Sequence, residues 1–209
     1  MPEIDYFYAT HSIFAYLGSA KIQAVARAAG ARLVHKPFNY QPVIETSGAG
    51  STRNRSAAHR AYYFGREIER WAEWREVPVM EGFPTHHWAD MHLASGALIA
   101  AAEQGLDVDS LSHGFLQGHW RDDADLSNEA TLQALAQSVD VDPAPLLAAA
   151  LSDEVAAIYE ANTVEAIERS VFGSPTYFIE GDMFYGQDHL EMVERALCQP
   201  YKPSNFDLS

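Results

Sequence analysis

Ser12 stands where the β-prone run Ile4 to Tyr8 gives way, through Ala9-Thr10-His11, to residues recurring at helical spacing. A hydroxyl at that junction lies beside the positive end of a helix, a position that favours anions. It is equally the position of a plain N-cap serine that satisfies free backbone N–H groups. A second stretch with chemical potential is Val171-Phe-Gly-Ser-Pro-Thr176, which runs into a β-prone segment, a turn at Gly181 and a second apolar run, Met183 to Tyr185. Pro175 cannot donate to a ladder and Gly173 permits a tight backbone, so Ser174-Pro175 is a candidate cis bond ahead of a β-hairpin. An ordinary turn into an ordinary hairpin reads the same way.

Two further clusters carry charge or metal-ligating capacity. Arg53, Arg55, Arg60 and Arg66 occur between residues 51 and 66 with no acidic residue among them. That local excess could dock a small anion, or the arginines could pair with Glu67, Glu69 and Glu73 on a solvated helix face. Tyr62, Tyr63, Phe64, Trp71 and Trp74 interleave with them and are expected mostly in the core. His86-His87-Trp88 with His92 resembles a metal cluster, but adjacent histidines point apart and no cysteine or Glu-x-x-His pattern completes a site. A substrate-facing polar role for His86, with no metal, is the expectation. Nine scattered histidines do not define a Ser/His/Asp triad with Ser12.

The elements that must position these groups follow from pattern. A strand over 4–8, a helix from Phe14 to a Gly30 C-cap and a strand over 33–36 make a βαβ unit with a parallel pair. Residues 41 to 56 read as a loop. Helices are then expected over 57–74, 94–103, 111–120, 128–138 and 145–161, with Asn162 capping a further one to Ser170 through a capping box with Glu165. A closing helix is expected over 188–197. This order gives an α/β thioredoxin-like sheet, 1–49 and 162–209, interrupted by an all-helical insertion over 50–161.

Composition narrows the function. A chain of 209 residues with 47% hydrophobic content can bury a full core. A formal charge of −15 argues against nucleic acid or an anionic membrane as partner. No basic leader with an apolar stretch opens the sequence, so a soluble, cytoplasmic protein is expected. Cys198 is the one cysteine, which excludes an intrachain disulfide and a Cys-x-x-Cys redox pair.

Asp5-Tyr-Phe-Tyr-Ala-Thr-His-Ser12 with Phe14 and Tyr16-Leu17, Glu69-Arg-Trp-Ala72 with Pro78, Trp120, and Ala166-Ile-Glu-Arg169 together resemble one known family. Val171 to Thr176 and Tyr185-Gly-Gln-Asp188 are its most specific matches. The family is the 2-hydroxychromene-2-carboxylate isomerases, relatives of kappa-class glutathione transferases in the DsbA-type thioredoxin-like group. The resemblance implies glutathione as cofactor, with Ser12 at its sulfur, Ser174 beside Pro175 at its cysteinyl part, and Tyr185, Gly186, Gln187 and Asp188 at its γ-glutamyl end. It implies Asn54 and Arg60 as groups that bind the organic acid or glutathione, and a homodimer. The family's Ser-Pro-x-Ser-Tyr is Ser12-Ile-Phe-Ala-Tyr16 here, and Arg60 replaces a lysine.

The implied reaction is reversible thiolate addition to a conjugated aromatic keto acid, with Ser12 donating to the thiolate, rotation about the bond made single, and elimination. Two other readings are a glutathione transferase, which consumes the cofactor, and a catalytically silent glutathione-binding protein. A dithiol oxidoreductase is disfavoured, because position 12 holds no redox cysteine.

Overall fold

The alternation of Ile4, Tyr6 and Tyr8 against Phe7 decides where the first strand goes, because both of its faces are apolar. In this computed structural model, which describes residues 1–48 and 55–205, Glu3–Tyr8 forms β1 in the interior of a four-stranded sheet. Ile4, Tyr6 and Tyr8 enter the larger core, while Phe7 joins Phe38, Val43, Ala166, Val171 and Phe178 on the other side. The one acidic interruption, Asp5, accepts from Arg169 Nη1 at 2.6 Å.

α1 (Ile13–Ala29) begins at the Ser12 cap and ends at Gly30, whose φ of 59° suits glycine. It leads to β2 (Arg32–Pro37), which pairs parallel to β1 with Tyr6 opposite His35. β3 (Thr176–Ile179) pairs antiparallel on the other edge of β1, and β4 (Asp182–Tyr185) pairs with β3. The strand order is β2-β1-β3-β4. The hairpin turn expected at Gly181 has two residues, Glu180 and Gly181, with φ of 50° and 88°. Tyr8, Tyr6 and Tyr177 stack across three residues of the sheet, with ring centroids 4.2 and 5.2 Å apart.

The segment between the sheet halves is helical, with corrections to the expected boundaries. Part of the 41–56 loop is α2 (Tyr40–Thr46), capped by Asn39 and buried only through Val43 and Ile44. A seven-residue helix with one buried pair has too little periodicity to declare itself. Residues 57–75 form α3 (Ala57–Ala61), a π turn (Tyr62–Arg66) and α4 (Glu67–Arg75). Tyr62 and Trp74 are exposed rather than in the core. α5 (His92–Glu103), α6 (Val108–Asp122) and α7 (Glu129–Ser138) follow as expected, each longer or shorter by a few residues.

The helix expected over 145–161 is two helices. α8 (Pro143–Ala149) stops before Ser152, which caps α9 (Asp153–Glu168) and has Asp153 and Glu154 in its first turn. Asn162 caps nothing. It lies within α9, where its amide donates to Pro37 O at 3.1 Å and fixes the end of β2, so the helix runs on through residues 161 and 162. Glu165 forms no capping box; it takes Lys36 at 2.6 Å and Arg169 at 2.9 Å. A short 3₁₀ turn (Gln187–His189) precedes α10 (Leu190–Cys198). Among the described residues no helix is long and apolar enough to cross a membrane.

α5 crosses α8 at backbone distance. A Cβ on Gly96 would lie 2.0 Å from Ala150 O, and that neighbour is main chain that cannot rotate away. Gly96→Ala is therefore expected to destabilise the fold by about 3 kcal/mol, the upper end for an overpacked core. A thermal melt should fall by roughly 2–4 °C for each kcal/mol in a chain of this size. An unchanged melting temperature would mean that α8 moves aside freely.

Candidate active site

The turn that carries Ser12 is held from four sides. Trp120 Nε1 donates to His11 O at 2.9 Å, Tyr16 Oη to Pro78 O at 2.8 Å, and the Thr10 and Ser95 hydroxyls meet at 3.2 Å. The fourth tie is to the hairpin. Ser12 Oγ accepts from Ala15 N at 3.2 Å and donates to Ser174 O at 3.1 Å, while Ser174 Oγ accepts from Ala9 N at 2.9 Å. The Ser174-Pro175 peptide bond is cis, and Pro175 O accepts from Gly186 N at 2.9 Å. Residues 162 positions apart in the chain thus meet at the N-terminus of α1, whose first turn holds no acidic side chain. That end of the helix is free to favour an anion.

Ser12 and Ser174 open onto a cleft of about 910 Å³, near the upper end for ligand pockets. Its walls are largely aromatic, with Phe14, Phe38, Tyr63, Phe64, Phe83 and Trp120 among them. Tyr185 also lines it, with Oη 3.4 Å from Tyr63 Oη. Gly173 is what admits the Tyr185 ring, since a Cβ there would lie 2.2 Å from Cε2. Burial raises the Tyr40 and Tyr63 hydroxyls above their ordinary pKa, so both are neutral hydrogen-bonding groups.

The arginine cluster divides. Arg55 and Arg60 line the cleft, with Arg55 over the Tyr63 ring at 5.1 Å. Arg66 and Arg70 instead pair with Glu69 and Glu67, both at 3.0 Å. The ion-pair reading holds for Arg66, while Arg55 and Arg60 lie on the cleft wall. Arg53 and Asn54 lie outside the described residues.

Of the other site residues read from the sequence, several do not face the cleft. Gln187 is buried against α1, with its side-chain oxygen taken by Arg75 Nε at 3.2 Å and its carbonyl by Arg75 Nη2 at 3.0 Å. A Cβ on Gly18 would lie 2.6 Å from Gln187 Cβ, so that packing leaves no slack. Pro175, Gly186 and Asp188 are likewise not among the residues lining the cleft; the Asp188 carboxylate is half exposed and 3.5 Å from His189. Of the expected γ-glutamyl contacts, Tyr185 alone reaches the cavity.

The histidine assignment shifts by one residue. His86 is half exposed, 3.6 Å from Asp125 and absent from the lining, whereas His87 is buried and lines the cleft. In a turn rather than a regular element, neither 3.6 nor 2.0 periodicity tells which of two adjacent histidines faces inward. His11 also lines the cleft, with its Nδ1 sealed from solvent and without a hydrogen-bond partner. Burial, with the nearby His119, lowers His11 to about 4, and burial, with His11 and His119, lowers His87 to about 3. Both rings are neutral at physiological pH. Among the described residues no group of three or more His, Cys, Asp or Glu side chains is placed to hold a metal ion.

Comparison with known proteins agrees with the sequence resemblance. A 2-hydroxychromene-2-carboxylate isomerase of Sphingobium xenophagum is 26% identical over 196 residues, 93% of this chain and 97% of that one. A solved structure of a 2-hydroxychromene-2-carboxylate isomerase superposes with a TM-score of 0.79 at 22% identity, over 94% of this chain and 95% of that one. The cytosolic disulfide reductase DsbM of Pseudomonas aeruginosa, solved with GSH, superposes with a TM-score of 0.62 at 15% identity, over 95% and 93%. The DSBA-like thioredoxin domain matches residues 3–198, nearly the whole chain, and the sheet, the cis proline and the helical segment described above accord with that match: the chain belongs to the DSBA-like thioredoxin domain family.

Proposed function

We propose that this chain is a glutathione-dependent isomerase acting on a bicyclic hydroxychromene carboxylate and its ring-opened conjugated keto acid. The observation that carries the reading is the Ser12 hydroxyl, bridged to the Ser174 carbonyl at 3.1 Å on the wall of an aromatic cleft. The relative from Sphingobium xenophagum, aligned over 93% of the chain, supports the substrate class. The DsbM structure solved with GSH supports the cofactor, as a protein of the same fold that holds it.

The residues fit a thiol guest. The chain's one cysteine, Cys198, is exposed at the end of α10, away from the cleft. Glutathione, when bound, supplies the missing sulfur nucleophile, which adds to and leaves a conjugated C=C bond so that rotation can occur in between. Ser12 Oγ keeps its capping bond from Ala15 N while its O–H turns from Ser174 O to a sulfur anion, since rotation about Cβ–Oγ moves the hydrogen alone. The Ser174 carbonyl, released from that bond, would be the acceptor on this wall of the cleft for a peptide N–H of a bound thiol tripeptide. Arg55 and Arg60 provide the positive charge for a carboxylate, and the Phe14, Phe64, Phe83 and Trp120 rings offer faces for an aromatic acid.

Incubation with 2-hydroxychromene-2-carboxylate, with and without glutathione, tests the reading by ultraviolet absorbance and thiol titration. Conversion that requires glutathione, with total thiol constant, is the expected result. Stoichiometric loss of thiol would mean a transferase, saturable binding without turnover a binding protein, and full turnover without glutathione would remove the cofactor from the mechanism.

A further inference from the structure

His87 lies on the cleft wall, and its hydrogen bonds fix where its proton is. The chain of bonds starts at Ala124 O, a carbonyl that can only accept, 3.1 Å from His119 Nδ1. Nδ1 of His119 therefore carries a proton, and burial lowers the pKa of that ring, so it is neutral and offers a lone pair at Nε2. His87 Nδ1 is 3.2 Å from that lone pair and must be the donor. What is left to His87 is the lone pair on Nε2, which takes no hydrogen bond among the described residues. The ring is fixed by Phe83 and His11 at 5.1 Å, Trp120 at 5.1 Å and Trp88 at 4.6 Å between centroids. The result is a neutral proton acceptor on a held ring of a residue that lines the cleft, in the arrangement by which histidine acts as a base.

We infer that His87, held in its Nδ1-protonated tautomer by His119, takes the hydroxyl proton of a cyclic hemiketal substrate and returns it to the ring oxygen. The inference rests on the isomerase reading, which places a hydroxyl and a ring ether on one carbon of the substrate. The step balances without a co-reactant. The hydroxyl proton moves to Nε2, the bond from that carbon to the ring oxygen breaks with its electron pair left on the oxygen as phenoxide, and the former hydroxyl becomes a carbonyl. The imidazolium then gives its proton to the phenoxide, leaving a phenol and a neutral His87. Burial, His11 and His119 all disfavour the imidazolium, so the proton is held briefly; the negative charge of the substrate carboxylate offsets part of that cost. His119 is a positioning residue, acting only through the tautomer it imposes.

His87→Gln keeps a neutral polar side chain that cannot carry a proton. Its kcat is expected to fall by roughly 100-fold or more, with glutathione affinity, read by calorimetry, changed by less than about threefold. His119→Gln supplies a carbonyl oxygen to accept from His87 and should keep kcat within about fivefold, whereas His119→Leu loses about tenfold or more in kcat with little change in KM. Equal losses in both His119 variants would reduce that residue to a structural part. Independently of any variant, nitrogen-15 spectra of histidine-labelled wild-type protein should show His87 protonated at Nδ1 and bare at Nε2. Full kcat in His87→Gln, or a proton on His87 Nε2 in the free protein, overturns the inference while leaving the isomerase reading intact. Absence of turnover in the wild type overturns that reading and the substrate step with it.

Discussion

Ser12→Ala is expected to lower glutathione-dependent kcat/KM by roughly 10- to 150-fold at neutral pH, the loss of one hydrogen bond to a charged acceptor worth about 1.5–3 kcal/mol. The helix end remains and contributes about 0.3–1 kcal/mol, so activity should not fall to background. The deficit has a signature in pH. Without the serine the bound thiol's pKa rises by about 1–2 units, so the variant should recover much of its activity as the pH is raised toward about 9. Unfolding will not imitate this result. The capping bond to Ala15 N at 3.2 Å is lost too, but an N-cap costs about 1 kcal/mol and a few degrees of melting temperature. Ser12→Thr, which keeps a capping hydroxyl, should retain most of the rate. Full activity of Ser12→Ala at neutral pH removes Ser12 from the sulfur site, and an equal deficit at all pH values means that the serine positions the cofactor without charging it.

The parts of this architecture that show in the sequence are those whose residues report on their own surroundings. Ile4, Tyr6 and Tyr8 alternate with Phe7 because β1 is covered on both faces, and Ser12 and Gly30 mark the ends of α1 because each answers a local backbone demand. The cis bond before Thr176 was legible from proline at a strand entrance. What failed had a tertiary cause. Asn162 has the composition of a cap, yet its amide is used by Pro37 O across the fold. Gln187 belongs to a site-like segment, yet Arg75, more than a hundred positions away in the chain, holds it against the body of the protein. The choice between His86 and His87 rested on which way a turn residue faces, and the partner that decides it, His119, comes from α6.

Acidification from about pH 6.5 to about pH 5 should remove about 3 kcal/mol of unfolding free energy, well before carboxylates titrate. His11 and His87 are neutral in the native cleft down to about 4 and about 3, against an ordinary value of 6.5. As the pH falls through that window the unfolded chain takes up a proton at each position and the native chain does not, so stability rises with pH, by up to about 1.4 kcal/mol per unit for each histidine. The full contribution is present above 6.5 and is lost as the pH falls toward the native values. His113 and His119, also lowered by burial, act in the same direction. Against typical total stabilities of about 5–15 kcal/mol the loss is large. Urea unfolding across the window measures it, and His87→Gln should remove about half of the slope due to the pair. A flat profile would mean that the cleft accepts charged imidazoles. The sign also links stability to the proposed chemistry: an anionic ligand in the cleft favours the imidazolium, so the ligated protein should lose less stability on acidification than the free protein, and by reciprocity the ligand should bind more tightly at the acid end of the window.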